Sequence, residues 1–65
     1  MTINKPFRWT KQHTLIREAL NNDMTKDDIM QLVREGNKDQ RTSERAMAAA
    51  DWSMAIDRVQ KRLAQ

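Results

Sequence analysis

From Ser43 to Gln65 the chain contains neither proline nor glycine, and its apolar residues recur at helical spacing. Ala49, Trp52, Ile56, Val59 and Leu63 follow a 3-4-3-4 rhythm that places them in one stripe along a helix. Met47, Ala50 and Met54 fall on the opposite side of its first half. This segment is the last third of a 65-residue chain, and it has to be covered on two faces. The preceding residues can supply one cover. A second molecule is expected to supply the other.

Size sharpens that expectation. A chain this short buries only about 60% of the surface it exposes when unfolded, against an ordering cost of roughly 1.5 kcal/mol per residue. It has no cysteine and one histidine, so neither a disulfide nor a zinc cluster is expected to reinforce it. Oligomerisation is the remaining common reinforcement, and a homodimer joined through the third helix is expected. No apolar run approaches the ~18–20 residues that cross a bilayer, and Met1 to Trp9 holds no stretch like a signal peptide. Together with the lack of cysteine, these features point to the cytoplasm and away from the membrane.

The spacing and the breakers predict an all-α chain: a small three-helix domain over residues 10–65, preceded by an extended arm over 1–9. Pro6 disfavours helix at the residue before it, and Phe7 and Trp9 are expected to anchor the arm's end to the core. Thr10 is placed to cap a helix from Lys11 to about Asn21, whose apolar face is Leu15, Ile16, Ala19 and Leu20. Asn21, Asn22 and Asp23 compete for backbone hydrogen bonds and end it.

Thr25 and Asp28 then form a capping-box pattern, and Met24 with Ile29 forms a hydrophobic staple. Gly36, the only glycine, is expected at the C′ position after this second helix. The third helix starts after a cap at Asp39 or at Thr42/Ser43. The expected core is Leu15, Ile16, Leu20, Ile29, Leu32, Val33, Trp52 and Ile56, with Val59 and Leu63 extending past its cover.

Chemistry is not the expected purpose. His13, the only imidazole, falls in the first turn of a helix. Asp27 and Asp28 are adjacent and explained by capping, and one glycine makes no phosphate loop. An enzyme is therefore not expected, nor any metal or other cofactor.

Two short helices and a third that begins in a basic polar junction have the order of a helix-turn-helix module. A net charge of +3 permits this if folding gathers the cations. On this reading the chain is a small DNA-binding regulator, acting as a dimer on double-stranded DNA. Arg41, Thr42, Ser43 and Arg45 enter the groove, while Lys5, Arg8 and Lys38 hold phosphates.

The Trp9-Thr10 pair, Leu15, Ile16, the acidic-capped second helix and Trp52 on a third helix are similar to Myb/SANT-type trihelical DNA-binding domains over residues 9–56. Lys11, Gln12 and His13 stand where that family carries acidic residues, and the junction from Gly36 to Ser43 is longer than its tight turn. The likeness does not place the chain in the family.

The competing expectation is a protein-binding inhibitor or assembly adaptor. It would present Phe7, Met47, Ala50, Met54, Val59 and Leu63 to a partner or a second copy, methionine being adaptable at such surfaces. Asp39, Glu44 and Asp51 interrupt the basic run where DNA readout would occur, and so favour this alternative.

Overall fold

The structure, a computed structural model, describes residues 8–64. It contains three helices, α1 (Lys11–Asn21), α2 (Lys26–Gly36) and α3 (Thr42–Leu63), with no strand among the described residues. The all-α expectation with a long C-terminal helix holds. Lys5 and Phe7, and most of the expected arm, lie outside the described residues.

Local chemistry sets each helix end. Thr10 Oγ1 accepts the His13 N–H at 3.2 Å and caps α1. At the start of α2 the capping box is complete. The Asp28 N–H donates to Thr25 Oγ1 at 3.2 Å, and the Thr25 N–H donates to Asp28 Oδ2 at 3.0 Å. Two otherwise orphaned donors are thereby satisfied reciprocally. Met24 packs against the cluster that contains Ile29, as a staple requires.

The turn between α1 and α2 is a Schellman motif. The Met24 N–H reaches the Ala19 carbonyl and the Asp23 N–H reaches that of Leu20, each at 3.1 Å. Its left-handed position is filled by Asp23, at φ 66°. Gly36 does not occupy such a position: it is the last helical residue of α2 and its φ is not positive. Asn37 caps that end instead, its Nδ2 donating to the Val33 carbonyl at 2.7 Å. The α3 cap also differs from expectation. Arg41 is the N-cap and makes no side-chain capping bond. Thr42 Oγ1 accepts from the Arg45 guanidinium at 3.2 Å, turning that hydroxyl inward along its own helix.

The core consists of Ile16, Ile29, Met30, Val33, Ala55, Ile56 and Val59. This corrects the expected core at five positions. Leu15 and Leu32 are exposed, Leu20 and Trp52 are only partly buried, and Val59 is wholly excluded from solvent. The reason is where the short helices sit. An 11-residue helix spans about 16 Å and a 22-residue helix about 33 Å. Here α1 and α2 cover the stretch of α3 around Ala55, Ile56 and Val59. The uncovered overhang is chiefly at the α3 start, Thr42 to Met47, rather than at Val59.

Two side-chain contacts fix this placement, Gln12 Nε2 to Asp51 Oδ2 at 3.1 Å and Lys26 Nζ to Asp57 Oδ1 at 2.9 Å. Both are exposed, so they orient the helices more than they stabilise them.

Two substitutions test this account. Ile56→Ala should cost about 2–5 kcal/mol through lost burial and a residual cavity. Asp23→Gly should stabilise by about 0.5–1 kcal/mol, because glycine occupies the left-handed region without strain. Thermal denaturation followed by circular dichroism reads both. A midpoint for Asp23→Gly that stays unchanged or falls would contradict the turn assignment.

Candidate functional site

Both α1 and α2 pack more extensively on α3 than on each other. The Schellman turn and Met24 close one end of the α1–α2 pair. Toward the start of α1 and the end of α2, an open apolar groove of about 480 Å³ lies between them. Its walls are Leu15, Ile16 and Ala19 on α1 and Ile29, Leu32, Val33, Gly36 and Asn37 on α2, and Trp52 of α3 reaches it as well. At Gly36 the wall is bare backbone, and a Cβ there would meet no atom within 4 Å.

The pattern that produces this groove is a neighbour effect on each short helix. Successive residues on a helix lie about 100° apart. Ile16 points to the centre of the three-helix junction and is 1% exposed, so Leu15 points to its flank and is 58% exposed. On α2, Val33 is directed inward, and Leu32 faces outward at 62% exposure. The two leucines therefore stand on opposite walls of one concavity. Leu32 also borders a second, shallower depression with Met24, Asp28, Gln31 and Glu35.

Of the residues expected to contact nucleic acid, Lys38, Arg41, Thr42, Ser43 and Arg45 are all exposed at the start of α3 and the junction before it. Arg45 lies on the side of α3 that carries Trp52 two turns further on, and Arg41 is the extended N-cap just before the helix. The same stretch contains Asp39 and Glu44, also exposed, so three cations are offset by two anions. Arg8 is exposed, and its carbonyl oxygen lies 3.1 Å from His13 Nδ1. Trp9, expected to anchor the arm's end to the core, is not among the residues packed against the core cluster. It is partly exposed beside α1, with the Arg17 guanidinium carbon 4.6 Å from its ring centroid, a cation–π arrangement.

The expected partner face divides. Met47, Ala50, Met54 and Leu63 are exposed. Val59 is not: its burial against α1 and α2 removes it from any partner surface. Met47, Ala50 and Met54 lie roughly 140–160° round α3 from Trp52, so they face away from the groove. The groove itself was missed in the sequence because its wall leucines read as core. Their adjacency to stronger core candidates, Leu15 beside Ile16 and Leu32 beside Val33, was the available signal.

Among the described residues, no group of three or more His, Asp or Glu side chains is placed to hold a metal ion. No helix there is long and apolar enough to cross a membrane. No family model, curated protein or solved structure matches the chain.

Groove wall and core respond differently to substitution. The Leu15→Gln/Leu32→Gln double variant should melt within a few degrees of the parent, since exposed helix positions tolerate such changes within about 0.5 kcal/mol each. Ile16→Ala should lower stability by about 2–5 kcal/mol. A double variant as damaging as Ile16→Ala would place the leucines in the core after all.

Proposed function

We propose that this chain is a protein-recognition module that receives an apolar side-chain row of a partner helix in the groove between α1 and α2. The observation that carries this reading is the pairing of Leu15 and Leu32 as exposed walls of one groove that Trp52 also lines. Single exposed leucines are ordinary on a protein surface. Two on facing walls of a concavity form a surface of the kind that accepts an amphipathic helix through anchors at i, i+3/i+4 and i+7. Function by occupancy follows. As an inhibitor or adaptor, the module would cover a helix that otherwise engages something else.

A second reading is favoured by the start of α3. Its first-turn amides have no side-chain cap, and Lys38, Arg41 and Arg45 are exposed around them. Helix starts of this kind suit phosphate. In this reading the chain is a small DNA-binding regulator, with Thr42 and Ser43 alongside the three cations. Asp39 and Glu44 weaken it by leaving a local excess of one positive charge.

Two titrations separate the readings. A neutral-flanked amphipathic helical peptide with a leucine stripe should shift the methyl resonances of Leu15 and Leu32 and the indole resonance of Trp52. The Leu15→Asp/Leu32→Asp variant should abolish that binding while staying folded, and binding retained by the variant would sink the groove assignment. Random duplex DNA, titrated at two salt concentrations, should bind weakly. Tight binding that weakens steeply with salt, and is lost in Arg41→Glu/Arg45→Glu, would establish the DNA reading instead.

A further inference from the structure

Resting on the protein-recognition reading, we infer that the occupant of the groove is a helix of another protein, apolar on one side and carrying Lys or Arg along the flank that faces α2. The argument is charge complementarity along the rim. Leu32 is shared between the apolar groove and the adjoining depression, so a helix seated on Leu32 places its near flank over Asp28 and Glu35. Gln31 is the other polar residue there. The cation nearest in sequence on α2, Arg34, lies roughly 100° round the helix from this side. Asp28 Oδ2 accepts the Thr25 N–H, which leaves the carboxylate its charge and its second oxygen.

The opposite wall gives no comparable preference. Lys11 and Glu18 stand four residues before and three after Leu15, one turn away on either side, and offset each other. Beyond the open end both signs occur, since Lys38 and Asp39 follow Asn37 in turn. The rim is thus acidic along α2 and balanced along α1. The protein's overall +3 charge does not override this, because screening limits each exposed charge to about 8 Å at physiological salt.

A second copy offering its Met47, Ala50 and Met54 stripe does not fit as the occupant. That stripe faces away from its own groove, so the contact is head-to-tail and does not close into a dimer. A groove-to-groove pair would set the acidic α2 edges of the two copies among the same charges and gain no opposite-charge partner from them.

Three 18-residue helical peptides test the proposal, identical in leucine stripe and carrying Lys, Gln or Glu on one flank. The Lys-flanked peptide should bind roughly tenfold more tightly than the Glu-flanked one at low salt, the gap narrowing as salt rises. Glu35→Lys should shrink or reverse that preference, with Leu15 and Leu32 methyl shifts still marking the groove. Equal affinities with those shifts present would overturn the charge inference and leave the groove reading standing. No groove shifts with any peptide would overturn both. Concentration-dependent shifts of Leu15 and Leu32 in the protein alone would make a second copy the occupant and likewise overturn the proposal.

Discussion

Ile16 of α1, Ile29 and Met30 of α2, and Ala55, Ile56 and Val59 of α3 meet in one cluster, and the rest of the architecture depends on that meeting. Ile56 and Val59 are fully enclosed, which fixes where along α3 the two short helices sit. With α1 and α2 committed there, neither reaches the first turns of α3. The unsupported helix start, the exposed arginines on it and the outward methionines all follow from this one placement. Among the described residues there is no further secondary structure to cover them.

The groove is the other side of the same commitment. Each short helix turns a buried apolar residue inward, Ile16 on α1 and Val33 on α2, and the neighbour one position earlier is turned aside. α1 and α2 are held together by their turn and by α3 rather than by extensive contact with each other, so space remains between the aside-turned leucines. Trp52 reaches this space but remains partly exposed. Hydrophobic surface that would be a packing defect in an isolated monomer thereby becomes organised: concave, apolar within, and differently charged along each edge.

Much of the local structure was legible in the sequence because it is written in short-range chemistry. Thr10, Thr25 with Asp28, and Asn22 with Asp23 mark helix ends through hydrogen bonds spanning three to five residues. Periodicity also identified the apolar side of α3. It does not fix which sector of that side is covered, which is why Ala55 is not singled out by spacing and Val59 reads as partner surface; on the short helices the same ambiguity makes Leu15 and Leu32 read as core. Gly36 misled for a related reason: glycine permits a left-handed residue without requiring one, and Asp23 took that role elsewhere. The polar junction before α3 carries several competing caps, and none of their side chains makes the cap. As for the site, the exposed cations at the α3 start were readable from composition, whereas a groove between two helices exists only once their separation is known.

No polar or charged residue is buried among the described residues. Buried polar contacts are what pin helices to a single register in many small bundles. Here the interior of the junction is held by shape, among aliphatic chains and a flexible methionine, and the polar contacts between helices lie outside it, exposed. Small rotations of α1 against α2 therefore break no buried hydrogen bond, and the walls can follow the bulk of whatever enters. On the protein-recognition reading proposed above, such a groove is permissive about side-chain size, and selectivity falls to the charges along its α2 edge.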